Sequence, residues 1–236
     1  AHVSVQHPVL FFPGTLCDER VFLRFGRELN IAQRRYVPLQ WAASLEEMLA
    51  LSEDRILDNE KVHLVGYSMG GFIAALVAQR NPANIASLTL IGYNPEGLSK
   101  EEIAKRKQLT TMLKQGNFKP DNDAYLSRFI HPSRLADEKV AGVVKSMAQD
   151  LGKTTLLNHT LATTPRESTV KALAKINAPV TFITAQQDAI APAETIKQLK
   201  NVLPKATFHT ISDAGHMVVL EKTDAVASII AKQIGV

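Results

Sequence analysis

The 236-residue chain is 45% hydrophobic and 21% charged, and its 27 Lys and Arg against 23 Asp and Glu give a formal charge of +4. These are values of a globular protein long enough to bury a real core. They argue against a nucleic-acid binder, because the basic residues mostly alternate with acids instead of gathering on one stripe, and no run of eighteen apolar residues offers a membrane span.

Val9–Phe12 is the first apolar run, stopped by Pro13-Gly14, and reads as a strand covered on both faces followed by a turn. Asp18 can cap a helix whose apolar positions include Val21, Phe22, Phe25 and Leu29. A second strand is expected over 35–39. Ser44 with Glu47 three residues on has the capping-box spacing, and the helix should run to about Leu57. Val62–Val65 is the next strand, Phe72–Gln79 an Ala-rich helix ended by Asn81-Pro82, and Ser87–Ile91 another strand. Strands alternating with helices call for a parallel sheet.

From about 95 to 175 the alternation stops. Helices are expected over 100–114, 123–130, 133–151 and 165–175, which together read as a helical cap over one end of the sheet. The alternation resumes with a strand at 179–184, a helix at 192–203, a strand at 206–211 and a closing helix at 223–234, capped by Thr223 or by Ser212-Asp213. The expected architecture is therefore a three-layer α/β fold with a mostly parallel sheet of about six strands. Residues 1–94 and 176–236 form its core and 95–175 the insertion.

Chemistry concentrates at Gly66-Tyr67-Ser68-Met69-Gly70. A serine hydroxyl is a poor nucleophile unless held beside a base and exposed to substrate. A sharp strand-to-helix turn does this, with glycines two residues before and after to clear the neighbouring backbone. The required strand (VHLV) and helix (FIAALVAQ) flank it. An ordinary Gly-rich turn would explain the glycines but not the central serine. The partners of such an elbow follow in the order serine, acid, histidine. Asp188 follows the strand PVTFIT and His216 the strand ATFHTI, so both fall where catalytic groups of α/β sheets gather. His216 is expected to be the general base and Asp188 its orienting acid. Glu96, also after a strand, is the rival acid. His63 and His209 lie within strands, His2 and His7 are terminal, and His131 and His159 lie in the insertion, within possible reach of substrate.

Oxyanion stabilisation needs backbone N–H groups aimed at the developing charge. Met69 N–H, directly after the serine, is one candidate; the second is Thr15, with Leu16 as second choice, in the loop after the first strand. Tyr67, Leu16 and Met217 are candidates for lining a substrate pocket. Cys17, the single cysteine, has no expected base beside it and is not read as a nucleophile. No His/Cys/Asp/Glu cluster has metal-ligand spacing and no phosphate loop appears, so neither metal nor cofactor is expected.

The segments FFPGTLCDERVF, VHLVGYSMGG, APVTFITAQQDAIAP and DAGHMVVLEKTDAV resemble the oxyanion loop, elbow, acid loop and histidine loop of the α/β-hydrolase superfamily, most closely its small bacterial carboxylesterase-like and enol-lactonase-like members. The resemblance covers nearly the whole chain outside the insertion. It implies a cofactor-free hydrolase with a cap that shapes the pocket, acting on a small-molecule ester, thioester or lactone through an acyl-enzyme on Ser68. Acyl transfer or C–C bond cleavage on the same triad is the alternative, and a non-catalytic binding relative the third. Pro13 departs from the family, which often has His before the oxyanion glycine, and the family's first two antiparallel strands are expected to be absent or reduced. One cysteine and an N-terminus without a secretory layout point to the cytoplasm.

Overall fold

In the computed structural model, which describes residues 6–27 and 29–236, the central strands are buried along almost their whole length because both sheet faces are covered. The strands are β1 (Val9–Phe12), β2 (Arg34–Tyr36), β3 (Val62–Tyr67), β4 (Ile85–Ile91), β5 (Val180–Ala185) and β6 (Thr207–Ile211). They form one sheet in the order β2-β1-β3-β4-β5-β6, and every pairing is parallel. Side chains alternate between faces. Leu10, Phe12 and Leu64 enter one apolar cluster; Val9, Phe11 and Val65 enter the other.

Helices α1 (Leu45–Glu53) and α2 (Met69–Arg80) cover the first face, joined after β5 by α7 (Ala193–Lys197). Helices α8 (Val218–Glu221) and α9 (Thr223–Ile234) cover the second. Between β4 and β5 lie α3 (Lys100–Lys114), α4 (Asp123–Leu126), α5 (Val143–Ala162) and α6 (Val170–Ala174). Part of this segment shares the sheet's second cluster, through Leu126, Ile130, Val140 and Met147. Another part meets Leu16 in a small separate cluster with Leu113, Ala148 and Leu156.

The chain leaves β1 in one direction to β2 and returns on the other side to β3. That reversal opens a crevice at the carboxyl ends of β1 and β3, the place where α/β sheets bind ligands.

Several expectations need correction. The helix expected after Asp18 is two short 3-10 segments, Glu19–Val21 and Leu23–Arg27, with Gly26 weakening any longer run. Its apolar positions are nonetheless buried. The second strand is shorter, since Pro38 cannot donate to a ladder. Ser44 does accept from Glu47 N–H, but the Glu47 carboxylate accepts from Ala43 N–H, so the box is only half closed, and α1 ends well before Leu57. The helix expected over 133–151 begins instead as a π-helical turn (Glu138–Gly142) and continues past a kink at Gly152 (φ 79°, ψ 174°) to Ala162. The closing helix has the expected span, but its N-cap is Lys222, with no side-chain bond, and α8 occupies a stretch expected to be loop. The leader reading and His2 fall on residues 1–5, outside the described residues. No helix among the described residues is long and apolar enough to cross a membrane.

Candidate active site

At the end of β3 the backbone makes a turn that only close approach can explain. Ser68 has φ 54° and ψ −118°, a left-handed conformation that disfavours any side chain, and its N–H donates to Ile91 O at 2.8 Å. A Cβ on Gly70 would lie 2.0 Å from Phe12 O, and one on Gly66 2.5 Å from Gly70 O. Glycine at both positions lets α2 press against the end of β1, and Ser68 is left half-buried at the mouth of the crevice.

Ser68 Oγ is 3.0 Å from His216 Nε2, and His216 Nδ1 is 2.8 Å from Asp188 Oδ2. The Asp188 side chain is fully buried, and its other oxygen, Oδ1, accepts from Ile190 N–H (2.8 Å) and Ala191 N–H (2.9 Å). Those two bonds fix the carboxylate so that Oδ2 faces the imidazole. Glu96, the rival acid, is exposed and takes no part.

The histidine loop is fastened from several sides. Tyr67 hydroxyl donates to His216 O (2.8 Å) and lies 3.0 Å from Met217 Sδ. Met217 N–H donates to Phe129 O (2.8 Å). The buried Glu221 carboxylate accepts from Gly215 N–H (3.1 Å) through Oε2 and from His131 N–H (2.9 Å) through Oε1. Arg134 reaches Asp213 and Glu221 at 3.1 and 3.5 Å. Residues 129–134 of the insertion are thus stitched to the loop that carries His216. Burial leaves the Tyr67 phenol neutral, its pKa driven well up. Tyr67 and Met217, expected to line a pocket, are both buried.

After β1 the chain turns through Gly14-Thr15-Leu16-Cys17. Cys17 N–H donates to Gly14 O (3.1 Å), and Leu16 has φ 56° while Thr15 does not have positive φ. This is a type II turn with leucine where glycine is usual. Leu16 N–H donates to His159 Nδ1 (3.0 Å), which takes it out of consideration as a free oxyanion donor. The N–H groups of Thr15 and Met69 have no acceptor among the described residues. His159 is fully buried; its Nε2 sits 3.0 Å from Leu39 O. Burial, opposed only by the Leu39 bond, pushes its pKa down to about 4, so the ring is neutral with the proton on Nε2. Burial, aided by Asp18, pushes the Cys17 thiol up to about 12, and its S–H is spent on Thr15 O (3.4 Å).

His159 and Glu221 were not assigned roles from sequence. Glu221 ends an otherwise apolar stretch (MVVLE), the pattern of a buried polar group seeking a partner, whereas His159 stands between Asn158 and Thr160 and has no such signal. A cavity of about 320 Å³ lies among Pro179, Val180 and Ala206 at the opposite end of the sheet. One of about 670 Å³ lies between Tyr36–Trp41 and Asp150–Thr155. Neither is lined by Ser68, Asp188 or His216.

A family described as having the alpha/beta hydrolase fold matches residues 42–223. The chain is similar to a pimeloyl-[acyl-carrier protein] methyl ester esterase of Neisseria meningitidis serogroup C, 25% identical over 178 residues. That match covers 70% of this chain and 66% of the relative, just under two thirds of its length. It is also similar to a 2-hydroxy-6-oxononadienedioate/2-hydroxy-6-oxononatrienedioate hydrolase of Cupriavidus pinatubonensis, 26% identical over 186 residues, which are 76% of this chain and 64% of that one. Among solved structures, an esterase from Thermogutta terrifontis superposes with TM-score 0.81 at 21% identity, covering 96% of this chain and 88% of that chain. The enol-lactonase from Burkholderia xenovorans LB400 gives 0.81 at 16%, covering 99% and 93%.

Proposed function

The chain belongs to the α/β-hydrolase family, and from that premise we propose that it hydrolyses a carboxylic ester, thioester or lactone through an acyl-enzyme on Ser68. The observation that carries this reading is the unbroken run of contacts from Ser68 Oγ to His216 Nε2 (3.0 Å) and from His216 Nδ1 to Asp188 Oδ2 (2.8 Å). As Ser68 Oγ bonds to the substrate carbonyl carbon, His216 Nε2 takes the hydroxyl proton. Asp188 holds the Nδ1–H tautomer and stabilises the imidazolium. The carbonyl oxygen becomes an oxyanion held by the N–H groups of Met69 and Thr15, the first at the positive end of α2. When the tetrahedral species collapses, the bond to the alcohol or thiol breaks and His216 returns the proton to it. Water, deprotonated by the same imidazole, then releases the acid. Residues 95–175 act as a cap over this crevice, and Phe129, whose ring lies 6.4 Å from that of His216, brings apolar surface to it.

The test is hydrolysis of p-nitrophenyl acetate. Ser68→Ala should lower kcat by at least about 10³-fold with the fold intact; equal rates would remove Ser68 from the mechanism. One observation favours a second reading. The substrate in the Cupriavidus relative's name carries carboxylates and a ketone but no ester, so its hydrolysis must break a C–C bond. Faster turnover of such an oxo-dioate than of any ester would put that reaction first.

A further inference from the structure

We infer that Tyr67, the residue directly before Ser68, is a positioning residue whose hydroxyl sets the place of His216 relative to that serine. The inference rests on the reading above, in which His216 takes the proton of Ser68.

A trans peptide is planar, and the plane includes the Cα atoms at both ends. The His216–Met217 peptide therefore carries His216 Cα together with His216 O and Met217 N–H. Both polar ends of that plane are held. His216 O accepts from the Tyr67 hydroxyl (2.8 Å), and Met217 N–H donates to Phe129 O (2.8 Å). Holding both ends leaves the Cα, from which the imidazole hangs, little room to move. The ring itself is held by Nδ1 on Asp188 Oδ2 (2.8 Å), and Nε2 then falls 3.0 Å from Ser68 Oγ. Of the two bonds on the peptide, only the one to Tyr67 comes from the strand that leads into the nucleophile, since β3 ends at Tyr67 and Ser68 follows. Tyr67 thus spans the gap itself: its backbone is joined to Ser68 and its hydroxyl to His216 O.

The phenol ring is buried and closely bounded. A Cβ on Gly14 would lie 3.0 Å from Tyr67 Cδ2 and Cε2, so the glycine in the loop after β1 leaves room for one ring edge. A Cβ on Gly92 would stand 3.5 Å from Tyr67 Cε1, 3.5 Å from His216 Cε1 and 3.6 Å from Asp188 Oδ2, which puts the other edge beside the histidine and the aspartate. The hydroxyl has a single hydrogen and two neighbours, His216 O at 2.8 Å and Met217 Sδ at 3.0 Å. The carbonyl is the stronger acceptor and the thioether a weak one. Burial keeps the phenol protonated, so it remains a donor at neutral pH. Phenylalanine would fill the same apolar site in β3; the hydroxyl is the part that packing does not require.

The test uses the full chain. Fluorophosphonate labelling carried to completion counts the molecules with a reactive Ser68. Single-turnover release of p-nitrophenol from p-nitrophenyl acetate, with the counted protein in excess, then reads attack by Ser68 per competent molecule, and loss of folded protein does not move it. In Tyr67→Phe the limiting rate should fall by about 10- to 100-fold, the scale on which a misplacement of about 1 Å is felt, with the half-saturating concentration unchanged. A hydroxyl that served stability alone would lower the urea midpoint and leave this rate at the wild-type value, which would overturn the inference. Tyr67→4-aminophenylalanine keeps the ring and returns an N–H donor, so it should recover part of the loss; a rate no higher than that of Tyr67→Phe would also overturn it. Should Tyr67→Phe not fold, the wild-type protein phosphonylated on Ser68 decides. Its crystal structure is expected to keep Tyr67 Oη within hydrogen-bond distance of His216 O, and separation of the two overturns the inference. If Ser68→Ala is as active as wild type, the ester reading fails and this inference with it; if Ser68→Ala is inactive and Tyr67→Phe is acylated at the wild-type rate, only this inference fails.

Discussion

At the scale of single residues, the site depends on which atom carries a proton. Asp188 presents one oxygen to His216 and commits the other to two backbone N–H groups. An amide at this position would keep the volume but could place a donor against the imidazole, favouring the wrong tautomer. Asp188→Asn should therefore lower kcat on p-nitrophenyl acetate by about 10³- to 10⁴-fold with little change in KM; a loss below tenfold would show that the orientation of His216 is set by other groups. The three residues of this proposal were readable from sequence because each ends a strand, and strand ends of a parallel sheet share one rim. His159 and Glu221 were not, because each bonds a backbone N–H far along the chain, 143 and 90 residues away. No local pattern says what a buried polar side chain meets across the fold.

At the scale of elements, the junction of β1, β3 and α2 is the tightest part of the structure. Phe12 is held in the ladder opposite Gly66, so its carbonyl cannot retreat from a side chain at residue 70. Gly70→Ala should cost about 3 kcal/mol or more in urea unfolding. Gly152→Ala makes a useful contrast. Its Cβ would meet nothing within 4 Å, but its φ of 79° disfavours alanine, so about 1 kcal/mol is expected. Reversal of that order would mean that packing at the elbow relaxes more easily than the distances suggest. The buried central strands were legible because short, mostly apolar and β-branched runs between turn signals have few other readings. The edge strand β2, the 3-10 segments after Asp18 and the short α8 were less so. Each is too short for its periodicity to speak, and each is shaped by what it packs on. The helix expected over 133–151 runs on to Ala162, bent at Gly152.

At the scale of the whole molecule, the composition and alternation implied a parallel sheet of about six strands, but not the strand order. Which neighbour a strand takes is a long-range choice. The reversal between β1 and β3 that creates the crevice is visible only in the fold. Global stability should carry a signature of two neutral imidazoles. Burial holds His159 and His63 near a pKa of about 4, the latter also opposed by His7 and sitting 2.6 Å from Ser87 Oγ. Both values lie below the 6.5 of an unfolded chain. As pH falls through about 6.5 the unfolded state takes up protons that the folded state refuses. The stability from these rings is thus complete above that pH and lost progressively down to about 4, up to roughly 3 kcal/mol per ring. Urea unfolding at pH 7 and pH 4.5 reads this directly, and His63→Asn should flatten its share of the slope. A wild-type midpoint that does not move over this range would mean that the rings are charged or exposed.

The torsions at residue 68 carry a further consequence. That backbone shape is one glycine takes freely and serine resists. A population of variants sorted by endurance to heat, and by nothing else, would drift at this site toward the residue with no hydroxyl. If Ser68 is the nucleophile proposed above, reactivity and robustness compete for a single pair of angles, and the serine persists only where turnover is what counts.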